Sequence, residues 1–196
     1  DDWLAFVPNE AKPTTGLIFY QGGRVLAEAY APLARDIAEE GYLVVIPYAP
    51  LNLAIFNTAM ATPIIEHYAE IDTWVVGGHS LGGSAAAIYA DANPEQVAGL
   101  VFVASRPADS SLLDDEDLAV LSIYGTRDNI ATLEETESSI PNLPADTEFI
   151  AVEGGNHSQF GYYGFQSGDG EATISRTAQI NLTVAAITEL LEGVSQ

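Results

Sequence analysis

The chain has 196 residues, 47 % of them hydrophobic, enough to bury a sizeable core within one domain spanning 1–196. Acidic side chains number 28 against 6 basic ones, a net charge of −22, so no Lys/Arg cluster is available for a phosphate backbone or an anionic headgroup. Nucleic acid and anionic membrane are thereby disfavoured as partners. The absence of cysteine removes disulfides, thiolate metal sites and a thiol nucleophile together, and no apolar run approaches the roughly 20 residues of a bilayer-spanning helix.

Residues 3–7 read as a first strand, and a start two residues ahead of it favours an exported chain, secreted or periplasmic, whose leader has been removed. Residues 16–20 (GLIFY) form a second strand, buried on both faces by its unbroken apolarity. After Gln21-Gly22-Gly23, a helix is predicted over 25–40. It carries Leu26, Tyr30, Leu33 and Ile37 at helical spacing and ends at Gly41 as a C-cap. Residues 42–46 are a strand stopped by Pro47 and Pro50, and 51–69 are mainly helical. Residues 73–77 (TWVVG) are a strand and 81–92 an alanine-rich helix. Strands follow at 98–104, 118–124 and 147–152, with a helix at 132–139. A loop rich in glycine and aromatics covers 154–170, and the closing helix, 174–191, spaces Ile180, Val184, Ile187 and Leu191 on one face. Strands alternating with helices predict an α/β architecture: a mostly parallel sheet of about six to seven strands, flanked by helices.

The strongest chemical signal is Gly78-His79-Ser80-Leu81-Gly82, between a strand and a helix. In a G-x-S-x-G elbow the turn is so sharp that the serine adopts strained backbone angles, and a Cβ two residues before or after it would clash. Ser80 Oγ then stands clear of the sheet, with the Leu81 amide aimed at a developing oxyanion. A serine hydroxyl needs a base, and the base needs an orienting acid. Of three histidines, His79 is held in the elbow with its ring directed away from the nucleophile and packs under the turn. His67 lies in a helix as a surface or packing residue. His157 follows the last strand and is the candidate base. Asp128 follows the preceding strand and is the candidate acid. The order Ser80, Asp128, His157 is that of G-x-S-x-G enzymes. Asp109, Asp114, Asp115 and Asp117 compete with Asp128 but crowd a polar loop, where solvated acids are expected. The loop after the second strand supplies the other oxyanion donor: the Gly23 amide is favoured over Gly22 and Arg24.

Together, FYQGGRV, GGHSLGG, IYGTRD and EGGNHSQFG resemble the α/β-hydrolase superfamily, and within it the small bacterial branch akin to dienelactone hydrolases and compact esterases. The resemblance implies Ser80, Asp128 and His157 as the triad and Gly23 and Leu81 as the oxyanion hole. Dienelactone hydrolases proper use a cysteine nucleophile, which this chain lacks, and that counts against lactone specificity.

Superfamily lids usually follow the strand after the elbow helix, but here that link, 105–117, is short and polar. The expectation is no substantial lid, an open cleft, and small or accessible ester substrates. Residues 51–56 and the loop after His157 could line the cleft, with Phe56, Phe160 and Tyr162 as substrate-binding candidates beside Tyr163 and Phe165. No phosphate-binding glycine fingerprint or metal-binding histidine pair is present, so neither a cofactor nor a metal is expected. Residues 168–171 (GDGE) lack the alternating acids of a calcium loop and read as a turn. The implied activity is hydrolysis of carboxylic esters through an acyl-enzyme. Its rivals are acyl transfer or peracid formation by the same triad, and a hydrolase-shaped binding module without turnover.

Overall fold

The central strands are apolar and buried along most of their length, so they demand cover on both faces, and the helices between them provide it. The computed structural model describes residues 2–9, 12–108, 111–114 and 117–195. Among these, seven strands form one sheet: β1 (Trp3–Phe6), β2 (Thr15–Tyr20), β3 (Leu43–Pro47), β4 (Thr73–His79), β5 (Gly99–Val103), β6 (Ala119–Gly125) and β7 (Glu148–Val152). The helices are α1 (Ala31–Glu39), α2 (Ala61–His67), α3 (Leu81–Ala92), α4 (Leu133–Ser139) and α5 (Arg176–Val194). The sheet order is β1-β3-β2-β4-β5-β6-β7. Only β1 runs antiparallel, with Trp3 opposite Pro47 and Phe6 opposite Val44.

Alternation along each strand splits the core in two. Ile18, Tyr20, Val76, Leu100 and Phe102 face α3, whose Ala85, Ala86 and Tyr89 pack on them. Leu17, Phe19, Val75, Val101 and Val103 face the other way, against Leu33 and Ile37 of α1 and Ile180, Ile187 and Leu191 of α5. The chain passes from β2 outward to β3, then returns to lay β4 on the other side of β2. A parallel sheet opens a crevice at the carboxyl ends of two strands whose connections leave in opposite directions. Here that crevice lies between the loop after β2 and the turn after β4.

Three departures from the sequence pattern have local causes. The helix expected over 25–40 is a 3-10 turn at Ala27–Tyr30 followed by α1, with Pro32 in its first turn, where a missing N–H is harmless. Leu26 is therefore off the helical face and 60 % exposed. The helix expected over 51–69 is a string of 3-10 turns at Pro50–Asn52, Ala54–Phe56 and Thr58–Met60 before α2, because Leu51 and Asn52 adopt positive φ. Strand β4 continues through Gly78 and His79, so it delivers the chain directly to Ser80. Between β5 and β6 the described residues form no helix or strand.

Candidate active site

Ser80 is the single residue between β4 and α3, with φ 52° and ψ −125°. Such a conformation costs on the order of 1–3 kcal/mol and persists only where the surroundings enforce it. They do so here: the Ser80 N–H donates to the Val103 carbonyl (3.0 Å). The Ser80 carbonyl accepts from the Ser105 hydroxyl (2.6 Å) and the Gly83 N–H (3.0 Å). The flanking glycines are sterically required. A Cβ at Gly78 would lie 2.5 Å from the Tyr20 carbonyl oxygen, one at Gly82 2.2 Å from the same atom, and one at Gly83 2.5 Å from Ser105 Oγ. The other described non-glycine residues with positive φ, namely Arg24, Leu51, Asn52 and Ala104, all follow the carboxyl ends of β2, β3 and β5. Backbone strain is thus gathered on one edge of the sheet.

Asp128 turns off the end of β6. Its Oδ1 accepts from the Ile130 N–H (2.7 Å) and the Ala131 N–H (2.8 Å), and its Oδ2 lies 2.7 Å from His157 Nδ1. Both side chains are fully withdrawn from solvent. An ionised carboxylate only accepts, so Nδ1 carries the proton and Nε2 keeps the lone pair a general base needs. His157 Nε2 is itself buried and has no hydrogen-bond partner. Ser80 is half-buried and makes no hydrogen bond through Oγ among the described residues. The structure therefore brings Asp128 and His157 together as a bonded pair and leaves Ser80 unlinked to it. Of the competing acids, Asp114 and Asp117 are exposed, while Asp109 and Asp115 lie outside the described residues.

The base loop is anchored from several sides. Buried Gln179 of α5 donates to the Asn156 carbonyl (2.7 Å) and accepts from the Asn156 N–H (3.1 Å). Asn156 Nδ2 donates to the Gly170 carbonyl (2.7 Å), and the Tyr163 hydroxyl donates to the His157 carbonyl (3.2 Å). His79 packs under the turn as expected, but its ring does so against His157, 4.5 Å between centroids. Burial above all, and then the neighbouring His157, hold His79 well below the usual histidine pKa, so it is neutral. Its Nδ1 lies 2.8 Å from the Tyr30 hydroxyl, which also accepts the Gly22 N–H (3.0 Å). The Tyr30 hydroxyl thus links the Gly22 amide to the His79 ring. Burial raises the Tyr30 hydroxyl pKa, so it keeps its proton. His67 sits exposed at the end of α2, edge-on to Trp3.

In the loop after β2, the Gly22, Arg24 and Val25 amides are all engaged, by Tyr30 Oη, the Asn52 carbonyl (2.7 Å) and the Gly22 carbonyl (3.1 Å). Only the Gly23 amide among these four has no acceptor among the described residues. Gly23 lies against Leu81, whose own amide opens α3 and has no intrahelical acceptor. Gln21 fixes this loop: its Nε2 donates to the Val25 carbonyl (2.8 Å) and Asn52 Oδ1 (3.0 Å), and its Oε1 accepts from the Ala49 N–H. Gln21 was a legible signal, a lone amide side chain at the end of a strand otherwise wholly apolar.

A cavity of about 230 Å³ opens at Ser80, lined by Leu81, Ser84, Ala104, Ser105, Arg106, Ile130, Ala131, Glu135 and Thr136. None of the three aromatic candidates is on that wall. Phe160 is wholly buried in the core behind His79, because the 3-10 turn at Ser158–Phe160 points it inward. Tyr162 is 46 % exposed and carries the Arg176 guanidinium on its ring, 5.0 Å from the centroid. Phe56 is 62 % exposed on the segment that braces the Gly23 loop. Four of the lining residues that sequence reasoning missed, Ile130, Ala131, Glu135 and Thr136, follow Asp128 closely. The pattern Thr132-x-x-Glu135, which forms a capping box starting α4, was the available signal that the chain turns back there. Among the described residues, no three His, Asp or Glu side chains converge as a metal site requires.

Solved structures share this fold. A thermophilic esterase from Thermogutta terrifontis superposes with a TM-score of 0.76 at 13 % identity, covering 99 % of this chain and 93 % of its own. The monoacylglycerol lipase of Paleococcus ferrophilus gives 0.73 at 14 % identity, covering 96 % and 98 %. Est1E from Butyrivibrio proteoclasticus gives 0.72 at 12 %, covering 99 % and 94 %. No curated protein matches by sequence. A family model described as the Alpha/beta hydrolase family matches residues 16–181, which include Ser80, Asp128 and His157, and the chain belongs to that family.

Proposed function

We propose that the chain hydrolyses carboxylic esters through an acyl-enzyme on Ser80. The observation that carries this reading is the buried 2.7 Å pair of Asp128 and His157, with an unpartnered Nε2, at the same sheet edge as the strained Ser80 elbow. Among the described residues nothing ties Ser80 Oγ elsewhere, so the hydroxyl is free to turn toward a substrate. His157 Nε2 takes the hydroxyl proton as Oγ adds to the acyl carbon, and Asp128 stabilises the resulting imidazolium. The Gly23 and Leu81 amides receive the oxyanion, an arrangement in which each donor is worth roughly 10²–10³ in rate. His157 then gives the proton to the leaving alcohol, and water releases the acid by the same steps in reverse order. The small cavity at Ser80 favours short acyl or alcohol groups, and the fold of the esterases and lipases named above is compatible with this chemistry.

The test is labelling by a serine-directed phosphonate, compared in the native chain and Ser80→Ala, together with turnover of short-chain nitrophenyl esters. Stoichiometric labelling that disappears in Ser80→Ala, with turnover falling by about 10⁶, is the expected result. A native chain that neither labels nor turns over overturns the reading in favour of a binding module.

A further inference from the structure

We propose that Asp169 is a positioning residue that welds the acid loop to the base loop, and so sets the Asp128–His157 geometry. The inference rests on the reading of His157 as the base. The Gly-Asp-Gly turn it occupies looks like an ordinary connection to α5, but its carboxylate is buried and accepts from five donors. Oδ1 takes the His157 N–H (3.3 Å), the Gly170 N–H (2.8 Å) and the Asn129 N–H (3.5 Å). Oδ2 takes the Ser158 N–H (2.8 Å) and the Ser158 hydroxyl (2.6 Å). Asn129 follows the acid and Ser158 follows the base, so a single carboxylate touches both segments that carry the pair.

The turn is pressed onto the acid loop by its backbone as well. A Cβ at Gly170 would lie 2.0 Å from the Arg127 carbonyl oxygen, and the Gly170 carbonyl accepts from Asn156 Nδ2. Gly168, at φ 93°, lets the chain turn back so that Asp169 points inward. Gln179, which reaches Asn156, and the Tyr163 hydroxyl, which reaches the His157 carbonyl, serve the base loop alone, while the Arg127 N–H joins the loops only ahead of Asp128, donating to the Gly155 carbonyl (2.8 Å). Asp169 alone among these bridges to the segment after Asp128. Five donors on two oxygens require an acceptor with no proton of its own, which an ionised carboxylate is and an amide is not. In Asp169→Asn, either Ser158 or the three backbone amides face an NH2 group, and buried donors are left unmatched. A base displaced by even 1 Å loses on the order of 10²-fold in rate.

The experiment compares native chain, Asp169→Asn and Ser158→Ala, the last removing one of the five donors without adding bulk. Two quantities are read: kcat and KM per phosphonate-titrated site, and the downfield proton resonance of His157 Nδ1–H in substrate-free protein. The expected result is a fall in kcat of about 100-fold for Asp169→Asn and about 10-fold for Ser158→Ala, KM holding within about 2-fold. The Nδ1–H resonance should be lost or broadened in the first and shifted in the second. An unchanged resonance with kcat within about 2-fold of native overturns the proposal. So does a loss of activity that tracks the loss of titratable sites, since that marks a structural role only. If Asp169→Asn does not fold, Ser158→Ala decides by the same two criteria. Failure of the ester-hydrolase reading is distinguishable, because a native chain without turnover still reports on Asp169 through the resonance.

Discussion

The two halves of the candidate site are built on opposite principles. On the side of Asp128 and His157, position comes from polar bonds: both oxygens of the acid are engaged, and the base loop hangs from Gln179, Asn156, Tyr163 and Asp169. On the side of Ser80 and Gly23, position comes from exclusion. Gly78, Gly82 and Gly83 have no room for a Cβ, and Ser80 Oγ and the Gly23 amide make no bonds among the described residues. Steric exclusion leaves hydrogen-bonding capacity free for a substrate, whereas a base must have one nitrogen tied down so that the other carries the right lone pair. One structure joins the halves: the Gly22 amide, the Tyr30 hydroxyl and His79 Nδ1 form a buried path from the Gly23 loop to the ring beside His157.

The contrast can be broken at each half and at the join. The largest effect is expected from Asp128→Asn, which keeps the shape but presents a donor where Nδ1–H must be accepted. Turnover should fall by about 10⁴-fold with melting temperature little changed, as steady-state kinetics and thermal unfolding would show. A loss below tenfold would mean that the polar half is not the source of basicity. Gly82→Ala attacks the steric half. With its Cβ 2.2 Å from the Tyr20 carbonyl oxygen, it should lose about 1–3 kcal/mol or more in urea unfolding, together with phosphonate labelling. Gly193→Ala, near the end of α5 with no atom within 4 Å of its Cβ, is the control and should gain about 0.5–1 kcal/mol.

Tyr30→Phe cuts the join. It strands the Gly22 amide and His79 Nδ1 in the core, so stability should drop by about 1–3 kcal/mol and kcat should fall while KM holds. Equal losses in both constants would argue that the path does not reach the oxyanion loop. The smallest effect is a slope. The folded pKa of His79 lies below its unfolded value, so the unfolded chain takes up this proton first as the solution is acidified. Its share of stability is whole above about pH 6.5 and is lost as pH falls below it, by at most about 1.4 kcal/mol per unit. His79→Asn, which keeps an acceptor for Tyr30, should flatten the stability profile between about pH 5 and 6.5 relative to the native chain.

Legibility in the sequence followed the range of the interactions. The strands were readable because unbroken apolar runs such as Leu17-Ile18-Phe19 and Val101-Phe102-Val103 admit no one-sided burial. The elbow was readable because its steric rule acts over five consecutive residues. The helix over 25–40 was misread because spacing alone does not see that Pro32 fixes where α1 begins. Phe56, Phe160 and Tyr162 were chosen for being aromatic and nearby in sequence, yet which way each points depends on 3-10 turns and on Arg176. The cavity at Ser80 is walled instead by a mixed set without aromatics, from Ala104, Ile130 and Ala131 to Ser84, Arg106 and Glu135, which only the fold brings together.

The sequence by itself determined the alternation of buried strands and helices and the strained serine, since each is written in local sterics and apolar periodicity. Only the tertiary structure decided that His79 rests on His157, that Asp169 ties Asn129 to Ser158, and that the Gly23 amide, unlike those of Gly22, Arg24 and Val25, has no acceptor among the described residues. Those contacts join residues far apart along the chain, and a hydrogen bond between them depends on directions that are set only when the whole sheet edge is assembled.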